Sequence, residues 1–231
     1  VVEGLGGNLV DAKDKPRTGL QPLSLHTYDN RAGSNVSNQE WTRLREEYEA
    51  RLHEERRRAR DAGQEYADVL DLGIELDPGA PLPHVLADGH SVFVLFYVRA
   101  RSRVRDGITV AVADPRSTDE PVGLIEFTGV HSVLFGGPND EALHGHPLHG
   151  RGLEPYAIHE VYGSHWISEA ERINSVHPYH QPGWHGTLRH FLITFHDETL
   201  ECLARDLRAE IHRSSLADTI TTTASRMFGG Q

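Results

Sequence analysis

The stretch RHFLITFHDETLECLARDL (189–207) constrains the fold more than any other part of this chain. Apolar and polar residues alternate on both sides of Asp197-Glu198, the period-two pattern of a strand that buries one face. The segment therefore predicts a β-hairpin. With those two residues as the turn, Thr194 lies opposite Glu201 and Phe195 opposite Leu200. Phe191, Ile193, Phe195, Leu200, Cys202 and Ala204 then share the core face, while His190, Thr194, His196 and Glu201 share the other. A polar face of this kind is either solvated or a site.

The rest of the chain extends this β reading. HSVFVLFYV (90–98) is an apolar, β-branched and aromatic run that suits a strand covered on both faces. ITVAVA (108–113), VGLIEFTGVHSVLF (122–135) and YAIHEVY (156–162) read as further strands. Two helices interrupt the pattern. Ser37 followed by Glu40 is a capping box, after which Trp41, Leu44, Tyr48 and Leu52 recur at helical spacing. Ser164 is placed to cap a short helix carrying Trp166, Ile167, Ala170 and Ile173. The expected organisation is an extended or partly disordered arm over 1–36, an amphipathic helix over 37–63, a main α+β domain over 64–212 and a Ser/Thr-rich flexible tail over 213–231. The fold class is α+β: a mainly antiparallel sheet of about six strands, partly rolled or sandwiched, with a long N-terminal helix and one short inserted helix.

Charge and cysteine content narrow the function classes. A net charge of −11 over 231 residues argues against nucleic acid as partner. RLHEERRRAR (51–60) interleaves arginine with glutamate and reads as a solvated helix face. Cys202 is the single cysteine, so the fold depends on no internal disulfide. No apolar run approaches the ~20 residues that cross a bilayer, and VVEGLGGNLVDAKDKPRTG shows no signal-peptide core. The expectation is a cytoplasmic protein with no membrane partner.

Eleven of the 16 histidines fall between 131 and 196. Within ALHGHPLHGRG (142–152), His144 and His146 form a His-X-His pair. On extended backbone, such a pair points both rings to one side, and imidazole is the commonest protein ligand of zinc, iron, nickel and copper. His144 and His146, with Glu160 arriving from elsewhere, are candidate ligands of a divalent transition metal. The alternative is a set of hydrogen-bonded loop residues. The spacing begins like a cupin motif but stops, because Gly150 stands where that motif has Glu. On the hairpin, His196, Glu201 and His190 are candidate catalytic residues, an imidazole–carboxylate set suited to acid–base work. Cys202 points with the apolar set and reads as core. FGGPNDEALHG lacks a Walker lysine, and PND reads as a turn. No G-X-S-X-G elbow is present, and Ser164 reads as a cap rather than a nucleophile.

FGGPNDEALHGHPLHGRGLEPYAIHEV, then SHWI, then RHFLITFHDETLECLA resemble a family of small bacterial proteins known only as uncharacterised. DPGAPLPHVLADGHSVFVLFYV (77–98) extends the likeness. The resemblance implies no activity. Members often carry Tyr where this chain has His149, which singles out His146 within the loop.

Two functions follow. One is a small-molecule enzyme with a His/carboxylate site, with or without a transition metal. The other is a non-catalytic ligand- or protein-binding module, with the Trp41 helix as a surface for a homo-oligomer or partner protein.

Overall fold

The computed structural model describes residues 37–99 and 114–229. The arm expected over 1–36 and the strand expected over 108–113 lie outside the described residues. The elements in chain order are α1 (Asn38–Asp61), β1 (Tyr66–Val69), β2 (His84–Ala87), β3 (Ser91–Tyr97), β4 (Val122–Thr128), β5 (Ser132–Gly136) and β6 (Ile158–Tyr162). They continue with α2 (His165–Asn174), β7 (Arg189–Thr194), β8 (Thr199–Ala204), β9 (Asp206–His212) and α3 (Leu216–Gly229). The α+β class holds, with nine strands among the described residues rather than about six.

The strands form two antiparallel sheets, one ordered β1-β6-β7-β8-β5 and the other β2-β3-β4-β9. One apolar cluster joins them. Val92, Val94 and Phe96 of β3, with Ile125 and Phe127 of β4, meet Phe191, Ile193, Leu200, Cys202 and Ala204 of β7 and β8. The hairpin's apolar set is thus the floor of a sandwich core, and Cys202 is fully buried there. Burial raises its thiol to about 12, well out of reach as a nucleophile near neutrality.

The hairpin register differs from the expected one by two residues. Thr194 pairs with Thr199 and Leu192 with Glu201, because Phe195 and Glu198 close the hairpin through the bond from Phe195 N–H to Glu198 C=O, which centres the turn on His196-Asp197, one residue earlier than expected. A two-residue slip preserves which face each side chain takes, so the sorting survives.

The run 122–135 divides into β4 and β5, which belong to different sheets. Gly129, at φ +63°, makes the bend, in backbone space that side chains rarely adopt. The return crossing comes at Arg205, between β8 and β9, where the Arg205 N–H bonds to Thr128 C=O.

Helix α1 begins as its capping box predicts, with Ser37 Oγ accepting from Glu40 N–H. Its C-terminal half docks on the molecule. Leu52 and Ala59 are buried, and half-buried Arg56 reaches Ala67 C=O, Asp68 and Glu154. The neighbouring Arg57 and Arg58 pair with Glu54 along the solvent face.

The tail expected to be flexible is helix α3. Its first residue, Leu216, is fully buried against Phe93, Leu95 and Leu124 on the outer face of the four-stranded sheet. Ser215 caps it by accepting from Asp218 N–H. Thr219 and Thr223 face inward and are buried, and the Thr219 hydroxyl bonds to Ser215 C=O four residues back. That satisfied hydroxyl leaves its methyl to pack, which composition alone does not reveal. No described helix is long and apolar enough to cross a membrane.

Candidate functional site

The outer face of the five-stranded sheet carries the polar chemistry. The loop 137–157 and helix α2 lie over it, with Leu143, Leu148 and Leu153 packing on Ala67, Val161 and Leu192. Beneath this cover run two separate imidazole–carboxylate networks.

The first centres on Glu201. One carboxylate oxygen accepts from His190 Nε2 at 2.9 Å, and the other stands 3.6 Å from His146 Nε2. His146 enters from the C-terminal end of a 3-10 turn over Asp140–Gly145. Leu148 N–H donates to its Nδ1, so the ring proton of neutral His146 lies on Nε2, aimed at Glu201. His190 is wired in the same sense. Its Nε2–H faces the carboxylate, so its Nδ1 accepts from Ser164 Oγ at 2.9 Å, and the Trp166 indole closes edge-on at 5.3 Å. Burial pushes the Glu201 carboxyl up, but the hydrogen bonds from His146 and His190 outweigh it and hold the group at about 2.

The proton direction Ser–His–Glu has the sense of a hydrolase relay. Yet Ser164 is only 5% exposed, and its oxygen is already accepting from Ile167 N–H as the α2 cap. The relay is closed to substrate. Its role in this arrangement is to fasten the loop and α2 to the sheet.

The second network is open. His196 stands just beyond the end of β7, and its partner is Asp140 rather than the adjacent Asp197. His196 Nδ1 lies 3.1 Å from Asp140 Oδ2 and 3.1 Å from the Tyr156 hydroxyl. Tyr156 in turn donates to Asp140. Burial, reinforced by that carboxylate, raises the Tyr156 phenol, so it stays protonated. Tyr156 also sits at φ +55°, left-handed backbone that costs a residue with a Cβ about 1 kcal/mol or more. The backbone adds a further tie, because Asp140 N–H donates to His196 C=O.

With oxygen acceptors crowding Nδ1, the proton of a neutral His196 ring lies there. Nε2 then carries the lone pair. His196 is 42% exposed in its side chain, and among the described residues its Nε2 has no hydrogen-bond partner.

The expected metal set does not converge. His144 is exposed, and its Nδ1 turns back on Glu141 C=O. Glu160 pairs in register with Phe191, and Phe191 with Cys202, so Glu160 points to the opposite side of the sheet from Glu201. There it forms a two-pronged pair with Arg189 at 2.9 and 2.6 Å. No group of three or more His, Cys, Asp and Glu among the described residues is arranged to hold a metal ion. Of the expected set, His146 alone joins the hairpin residues.

Three further histidines, outside the expected site, tie neighbouring elements together. Fully buried His159 accepts from Glu154 N–H on Nε2 and faces Leu192 C=O with Nδ1. Burial lowers it to about 3, so it is a neutral cross-link between loop and sheet. His185, with His180, binds Glu171 of α2 at 2.7 and 3.0 Å. The sequence signal available for Asp140 was its place in the PND turn, and for Tyr156 there was none.

No family model, curated protein or solved structure matches this chain.

Proposed function

We propose that the chain is a small-molecule enzyme in which His196 is the general base. The observation that carries this reading is the hold on Nδ1. Asp140 and the Tyr156 hydroxyl fix the ring and its tautomer, leaving the basic Nε2 facing solvent. A surface histidine with only a structural role has no need of a half-buried carboxylate and a strained tyrosine behind it. In this reading Nε2 takes a proton from substrate or from an attacking water, and Asp140 stabilises the imidazolium that forms. Asp140 and Tyr156 are positioning residues. His190, Glu201 and His146 hold the loop that carries Asp140.

The first test needs no substrate. Nitrogen-15 NMR of the imidazoles, assigned through His196→Ala, should show His196 as the Nδ1–H tautomer in its neutral form. An Nε2–H tautomer overturns the reading. The second test screens chromogenic esters, amides, phosphoesters and glycosides. Any turnover found should fall by about 10²–10⁴ in His196→Ala and less in Asp140→Asn. Turnover that survives His196→Ala refutes the assignment.

A further inference from the structure

Between α2 and β7, the loop 176–187 presents aromatic side chains to water. Tyr179 is 82% exposed and Trp184 55%. Both line one open dish of about 370 Å³, together with Gln181, Pro182 and Gly183. That volume sits at the small end of the range that accepts organic ligands, roughly 300–1,000 Å³. Among the described residues the two rings do not stack on each other, and the His177 ring is tilted beside Tyr179 at 5.9 Å, so the exposed ring surface of Trp184 and the remainder of Tyr179 are open to a guest.

The dish is held firmly. Glu171 Oε1 accepts from Gly183 N–H and His180 Nε2, and Oε2 accepts from His185 N–H and Nδ1. Those bonds lower its carboxyl to about 2, the two donated by His185 contributing most. One carboxylate on α2 therefore clamps the loop on both sides of Trp184. His131 adds an edge-on ring contact to His185 at 4.9 Å. Aromatics on a clamped loop lose little further freedom when a guest arrives, which is the condition for useful affinity from a small contact.

The lining selects the guest. None of its five residues is charged, so an ionic ligand would surrender hydration without a counter-charge. What is offered is apolar ring surface beside a single amide that both donates and accepts. We propose that this dish binds the pyranose ring of a neutral carbohydrate. The C–H face of the sugar would lie on Trp184 and Tyr179, and its hydroxyls would meet Gln181 and the surrounding water. The site does not depend on the His196 reading.

The test is titration of the full chain with methyl glycosides of glucose, galactose, mannose and N-acetylglucosamine, and with their oligosaccharides. Adenosine and tetramethylammonium chloride serve as contrasting probes. Calorimetry and saturation-transfer NMR report binding. At least one neutral sugar should bind saturably, and Trp184→Ala and Tyr179→Ala should each weaken it by about tenfold, the worth of one good aromatic contact. Gln181→Ala should weaken it too. All three side chains lie on the loop surface, so melting temperatures should stay at the wild-type value. Three results overturn the proposal: no saturable sugar binding, binding of adenosine or tetramethylammonium in place of sugar, or unchanged sugar affinity in both aromatic variants.

Discussion

His159 makes a quantitative prediction about acid stability. In the unfolded chain its imidazole titrates near ~6.5, whereas burial holds it at about 3 in the folded protein. Between those values the unfolded state binds a proton that the native state refuses. Stability from this residue is therefore complete above about pH 6.5 and drains as the pH falls toward 3. At pH 5 the gap is about 1.5 pH units, worth about 2 kcal/mol, and at pH 7 the effect is close to zero. His159→Gln removes the titration while keeping an acceptor for Glu154 N–H and a donor for Leu192 C=O. It will cost some stability at every pH through imperfect geometry, so the informative quantity is a difference of differences. Urea unfolding of both proteins at pH 7 and pH 5 gives it directly. The wild type should lose about 2 kcal/mol more than His159→Gln on going from pH 7 to pH 5, with the other histidines cancelling between the two. Equal losses would show that His159 is protonated in the folded protein, and would refute its role as a neutral link.

Two further perturbations probe what holds the cover to the sheet. Glu201→Gln leaves two imidazole N–H groups facing one amide, and should destabilise by about 2 kcal/mol at pH 7 in chemical unfolding. Because the Glu201 carboxyl is held at about 2, below the usual carboxylate range, its stabilisation is present above ~4.5 and is lost as the pH falls through about 2; a variant as stable as wild type at neutral pH would deny that network any structural role. Gly152 has φ +88°, and a Cβ there would collide with Ala67 C=O and Arg56. Gly152→Ala should cost about 3 kcal/mol and speed hydrogen exchange over 38–61 as α1 loosens; an unchanged melting temperature contradicts that packing.

Which parts of this arrangement were legible follows from how far each inference had to reach. Alternation within 189–207 sorted the hairpin faces correctly although the register was two residues out, because side-chain direction repeats with that same period. His190 and Glu201 met for this reason. Glu160 failed because alternation sorts faces only within a strand. Placing β6 against β7 needs the pairing Glu160 with Phe191, and no local pattern encodes it. Asp140 reaches His196 across 56 residues, through a loop whose path depends on Leu143 and Leu148 finding the sheet. Adjacency alone would pair His196 with Asp197, whereas the fold supplies Asp140. The terminal helix failed differently: its inward face mixes Leu216, Ile220 and Met227 with Thr219 and Thr223, and a hydroxyl bonded to its own backbone, as in Thr219, is apolar in practice though polar in composition. The open imidazole is thus assembled from a turn residue, a distant carboxylate and a strained tyrosine, where local pattern is weakest. The densest histidine motif, at 144–149, contributes one ring to a buried brace instead. The histidine worth mutating first is accordingly the one whose free nitrogen faces water.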